Sequence, residues 1–164
     1  MTKTTTASGG AAEAAWTTAN ALAESTQAAV RGTWLASDSA AESCGNDGVH
    51  WGITRLGPGT DTRARSAALD RIEELWNEAG YDPDRIIIGG DAPGTELRYP
   101  RSGTLDTGFF IEFGTTEHGS TLQMQTPCAA GDADALNRAK YAERHTNTPP
   151  DIPGAATPST ATGS

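Results

Sequence analysis

The side chains able to do chemistry are spaced in this sequence in ways that exclude most of it. No serine stands in a G-x-S-x-G turn or an S-x-x-K pair, the arrangements that expose and activate a nucleophile, and Ser102 and Ser120 sit among ordinary turn residues. His50, His118 and His145 are scattered, with no spacing that lets two of them grip one metal. Oxygen ligands for calcium are offered by Asp47, by Asp82 and Asp84, and by Asp91 with Glu96, but none follows the alternating register of a calcium loop. The glycine-rich stretch 89–94 ends without Gly-Lys-Ser/Thr and opens no helix, so it lacks the N-terminus a phosphate cradle needs. Glu112 and Glu117 flank a late hairpin with His118 at its tip. Glu112 falls opposite Phe109, Ile111 and Phe113, so it points to solvent and reads as a contact residue. No metal, cofactor or catalytic group is implied.

Binding residues are easier to nominate. Trp34 and Trp51 lie beside loops, where they are either exposed anchors or fillers of a core short of aliphatics. Tyr99 and Arg101 bracket Pro100 in an extended segment. Glu112, Glu117, His118, Gln123 and Gln125 belong to the polar side of the last two strands and the turn between them. Together these form the candidate surface for a partner.

Cys44 and Cys128 are the two cysteines, too few for a structural zinc site and without the C-x-x-C of a redox pair. Two inert thiols or one disulfide remain. A bridge would close a long loop and contribute roughly 4–5 kcal/mol in the chain-entropy model, comparable to the whole stability of a domain with a thin core. The disulfide is the favoured reading, and it implies an oxidising compartment. The N-terminus, Met1-Thr-Lys followed by Thr and Ala, shows no apolar stretch of the signal-peptide kind. Either the protein is cytosolic with two free thiols or Met1 replaces a removed leader; the second is favoured. Residues 1–10 are then a disordered tether of the kind that follows a signal peptide or a lipidated cysteine, so that a lipid anchor lost with the leader and full secretion both stay open.

The elements that must position these residues follow from composition and period. Only 21 of 164 residues are Leu, Ile, Val or Phe, and 16 of those lie between Val49 and Cys128. That concentration defines a core at 49–128 inside one domain spanning 11–145. Residues 146–164, rich in Pro, Thr, Ala and Gly, read as a disordered tail. An alanine-rich helix is expected over 11–31, with Trp16, Ala19, Ala23 and Val30 on one face. Residues 49–56 alternate as a strand. Leu69, Ile72, Trp76 and Ala79 define a second helix, capped by Thr60 or Asp61 and stopped at Gly80. Extended segments follow at 85–88, 96–99, 105–113 and 120–126, then a short helix at 133–145 opened by Asp132. The resulting class is α+β: a four- to five-stranded, mainly antiparallel sheet, two helices packed on one face and polar rows on the other.

Net charge is −9, with acidic residues in excess along the whole chain. No basic stripe is available for a phosphate backbone or an anionic membrane, which excludes nucleic acid and disfavours lipid surfaces. No apolar run is long enough to span a bilayer. A basic protein partner fits. The alanine- and tryptophan-bearing first helix, the run Leu75-Trp76-Asn77-Glu78-Ala79-Gly80-Tyr81 and the strand end Gln125-Thr126-Pro127-Cys128 resemble small exported proteins and lipoproteins of actinobacteria, many of unknown function. The likeness extends from about Trp16 to Cys128 and brings no catalytic residues with it. It implies an extracellular or cell-envelope protein. The expected function is a non-enzymatic, protein-binding domain, in one form an immunity protein or inhibitor of a toxin. The alternative is a small hydrolase or ligand carrier with a site between sheet and helices.

Overall fold

A computed structural model describes residues 4–144, with side chains described over 10–142. Thr4–Gln27 forms α1, which begins well before the expected Ala11 and takes in most of the segment read as a tether. The tail expected over 146–164 lies outside the described residues. Helix α2, Thr62–Glu78, is the element its sequence specifies most completely. Asp61 caps it by accepting the Ala64 N–H at 2.8 Å, Leu69, Ile72 and Trp76 are buried along one stripe, and Gly80 leaves the end with φ +97°. Helix α3 covers Ala133–Arg144.

The main sheet has six strands rather than four or five. They are β1 (Leu35–Ala36), β4 (Gly52–Gly57), β5 (Asp84–Ile88), β6 (Gly94–Tyr99), β7 (Phe110–Thr116) and β8 (Ser120–Gln125). Their order is β1-β4-β8-β7-β6-β5, and every pairing is antiparallel. A second, three-stranded sheet joins β2 (Glu42–Cys44), β3 (Gly48–His50) and β9 (Ala129–Ala130). The single strand expected over 49–56 is thus two strands in two sheets. The break falls at Trp51, whose backbone N–H donates to Thr126 Oγ1 and whose carbonyl accepts from the Thr126 N–H, both at 2.9 Å.

The α+β class holds, with three helices. α1 and α2 cover one face of the six-stranded sheet, where Trp76, Ile72 and Leu69 meet Ile53, Leu97, Ile111, Phe113, Leu122 and Met124. In register, Ile53 faces Met124, which faces Ile111, and Leu122 faces Phe113, which faces Leu97. Inward residues of four strands therefore form continuous rows. The indole of Trp76 donates to Thr26 Oγ1 at 3.0 Å, and that hydroxyl donates to Leu22 O at 2.8 Å, pinning α2 to α1. A smaller cluster of Ala12, Ala41, Val49, Trp51 and Leu136 joins α1 to α3 and the second sheet.

Arg55 interrupts the apolar rows. It is 6% exposed and grips Asp38 with two bonds, Nε to Oδ1 at 3.0 Å and Nη2 to Oδ2 at 2.7 Å. Its remaining donors reach Gln27 Oε1 and Asn20 Oδ1 on α1. A guanidinium bonded to three side chains in this way fixes α1, the 37–41 loop and β4 relative to each other. Cys44 and Cys128 form the expected disulfide, which ties β2 to the segment that leaves β8.

Candidate functional site

Helices cover one face of the six-stranded sheet; the opposite face carries the candidate site. Side chains alternate along each strand, so the residues register-paired with one another share that face. Across its centre, Arg98 of β6 stands opposite Glu112 of β7, which stands opposite Gln123 of β8. Glu96 lies two residues along β6 on the same side. The Arg98 Nη2 approaches Glu96 Oε1 at 3.1 Å and is hydrogen-bonded to Glu112. Arg98 Nε is buried without a partner among the described residues. Burial, followed by the hydrogen bond and negative charge of Glu112, pushes Glu96 up to about 7, with Arg98 opposing the shift. The same bond to Glu112 holds Arg98 more firmly protonated.

Apolar side chains edge this polar centre. Leu56 of β4 pairs with Leu35 of β1, and the two are 44% and 64% exposed. At the other side Ile86 faces Glu96 in register, and the end of the Ile88 side chain lies over Gly114, 3.9 Å from where a Cβ would be. The face therefore offers carboxylates at its middle and aliphatic contacts at both margins. A carboxyl that titrates near neutrality can exchange a proton, but its neighbours in register are Ile86 and Gly114, neither of them a nucleophile. Arg98 lies between the two carboxylates and is paired with both.

The residues nominated from sequence divide sharply. Glu112 and Gln123 come together on the open face. Glu117 and His118 are exposed but sit in the hairpin turn beyond the last register pair, Thr115 with Ser120, and lie 3.6 Å from one another. Arg101 is exposed past the cis Tyr99–Pro100 peptide and pairs with Asp84 at 3.4 Å, which borders the face on β5. Tyr99 points to the helix side, where it packs with Tyr81 and Phe109 at ring separations of 5.1 and 6.4 Å.

Two of the nominated side chains, Trp51 and Gln125, are buried and so are corrected, while Trp34 is half-buried. Trp51 is 3% exposed and stacked at a tilt on Trp16, so it fills the smaller core instead of anchoring a partner. Trp34 is half-buried: it covers Gly57, where a Cβ would fall 2.4 Å from the indole, and donates to Val30 O at 3.0 Å. Gln125 is 4% exposed and spends its amide on the carbonyls of Leu105 and Gly108, because the 105–109 segment, expected as strand, folds back as turns. Among the described residues no three His, Cys, Asp or Glu side chains gather as a metal site.

Arg98 is absent from the nominated residues and Glu96 enters only as a calcium oxygen, although the alternation Glu96-Leu97-Arg98 marks both: two charges on one side of a strand whose other side carries a buried Leu.

No family model matches the chain, and no curated protein is similar to it. Among solved structures, a DUF4853 family protein from Actinomyces odontolyticus aligns at 18% identity over 82% of this chain and 70% of that one, with a TM-score of 0.31. A likeness at that level does not define a shared fold. No helix among the described residues is long and apolar enough to cross a membrane.

Proposed function

We propose that this chain is an exported domain of the bacterial cell envelope, secreted or lipid-anchored, that binds a basic segment of another protein on the open face of its six-stranded sheet. One observation carries the reading. The sheet is sealed by helices on one face, while the other presents Glu96 and Glu112, bridged by Arg98, between aliphatic margins at Leu35–Leu56 and Ile86–Ile88; two carboxylates against one guanidinium leave the cluster acidic once Glu96 is ionised. A Lys or Arg of the partner would meet the carboxylates and its apolar neighbours would cover the margins. The net charge of −9 supports fast encounter with such a partner. The disulfide supports an oxidising location. An immunity protein or inhibitor acting on a basic toxin is the specific form this reading takes.

The test is site-directed photocrosslinking in the native host. A crosslinker at Thr121, exposed on the open face, should give one discrete adduct in the envelope or culture fluid, and one at Glu78 on α2 should give none. Replacing Glu96 and Glu112 by Lys should abolish the Thr121 adduct. An adduct that survives this charge reversal, or one formed equally from both positions, would overturn the assignment of the face.

A further inference from the structure

We propose that the open face takes up its basic partner in exchange for a proton held between Glu96 and Glu112, so that the contact forms above neutrality and is released by mild acid. The inference rests on the assignment of this face to a basic segment, and it adds the condition under which that segment is held.

The charges on the face give the reason. One guanidinium, Arg98, stands between two carboxylates, and a single nitrogen, Nη2, serves both. Its Nε is sealed without a partner among the described residues and adds nothing to either pair. The hydrogen bond to Glu112 ends on Oε2 and the ion pair to Glu96 on Oε1, which leaves one oxygen of each carboxylate for another donor. With both carboxylates ionised, the three groups carry a single net negative charge. With one proton added they carry none.

The proton has a defined place. Glu96 lies in register with Ile86 on one side and Gly114 on the other, and the end of Ile88 lies over Gly114. Its strand neighbours are therefore hydrocarbon and backbone. Burial there disfavours the charged form, and Glu112 accepts a hydrogen bond from the protonated one; together they raise Glu96 to about 7 against the pull of Arg98. A Lys or Arg of the partner needs the position this proton fills. Cation and proton compete for one place, so binding the cation expels the proton.

No other group on the face offers the same exchange. From β5, Asp84 stands opposite Arg98 but is engaged by Arg101 at 3.4 Å. From β7 the facing residues are Glu112 itself and Gly114. One strand further, Thr121 and Gln123 of β8 carry no charge. His50 pairs with Glu42 in the second sheet and His118 with Glu117 in the hairpin turn, neither of them with Glu96.

The experiment runs the Thr121 photocrosslinking on washed cells equilibrated at pH 6 and at pH 8. A carboxyl-carbon NMR titration of the full-length, disulfide-bonded chain accompanies it. The ionised fraction of a group titrating near 7 falls about tenfold between pH 8 and pH 6, so the adduct should weaken about tenfold. E96Q carries no charge at either pH and should give the weak adduct at both. In the NMR titration, E112Q should lower the midpoint of Glu96 by about one pH unit, because the neighbouring charge is gone. A wild-type adduct of equal strength at both pH values would overturn the exchange and leave the assignment of the face standing. So would an E96Q adduct as strong as that of the wild type at pH 8, or an identical Glu96 midpoint in E112Q. Absence of the Thr121 adduct at both pH values would remove the assignment of the face, and this inference with it.

Discussion

Reduction of the Cys44–Cys128 bridge, or its replacement by two alanines, should remove a large share of the stability of this domain. The bond joins β2 to the residues that leave β8, across a sequence separation of 84. Freeing a loop of that length returns about 4–5 kcal/mol of chain entropy to the unfolded state. A domain of this size has only about 5–15 kcal/mol in total. At roughly 3–4 °C per kcal/mol for a domain of about 140 residues, the melting temperature should drop by about 15 °C. The native structure gives little ground for compensation. Gly48 packs directly beneath the bridge, where a Cβ would lie 2.4 Å from Cys128 Sγ, so no side chain stands ready to fill the space. The assay is thermal unfolding followed by circular dichroism with and without reductant, alongside intact mass. Reduction should add about two mass units and lower the midpoint by the stated amount. A midpoint lowered by less than about 5 °C, with reduction confirmed by mass, would refute the view that the bridge acts by restricting the unfolded chain.

Asp38→Ala leaves the buried Arg55 guanidinium without its carboxylate and should cost about 3–5 kcal/mol in denaturant unfolding; adding Arg55→Met should recover part of the loss. Glu96 is shifted upward, so the folded chain holds its proton more tightly than the unfolded chain does. Its favourable contribution is complete below about pH 4.5 and is lost as pH rises through about 7. Glu96→Gln should therefore match the wild type near pH 4 and exceed its stability at pH 8, by about 1–2 kcal/mol once solvent screening of this partly exposed group is allowed for. Urea unfolding at the two pH values checks the difference. Trp76→Phe keeps a ring in the core but breaks the bond to Thr26, and a loss of about 1–2 kcal/mol should appear in the same assay.

What could be read from the sequence follows physical length scale. Helix α2 carries its own period, cap and stop, so nothing outside it was needed. Strands β6, β7 and β8 alternate over six or seven residues, long enough for a period of two to show. β1, β2 and β9 are two or three residues each and hold no period at all, which is why the sheet came out too narrow and the second sheet went unseen. The division at Trp51 was hidden for a different reason. Val49, Trp51 and Ile53 keep one alternation straight through it, although the first two enter the small core and Ile53 the large one. At the site, Glu112 and Gln123 were legible because their strands alternate. Trp51 and Gln125 were misplaced because their burial depends on α1 and on the turns at 105–108, partners far away in sequence.

The six-stranded sheet does not close on itself, and β5 is one of its two margins. This strand carries Ile86, Ile87 and Ile88 in a row, and Ile87 is 77% exposed on the helix side. The one cation on the strand, Arg85, is folded back onto Asp70 and Glu73 of α2 and so does little to repel an incoming chain. A strand laid along β5 would find backbone donors and acceptors in register and an aliphatic ridge to grip. An open margin of this kind is where a sheet would be extended by another chain, and a charge placed at Ile87 is the substitution that would discourage it.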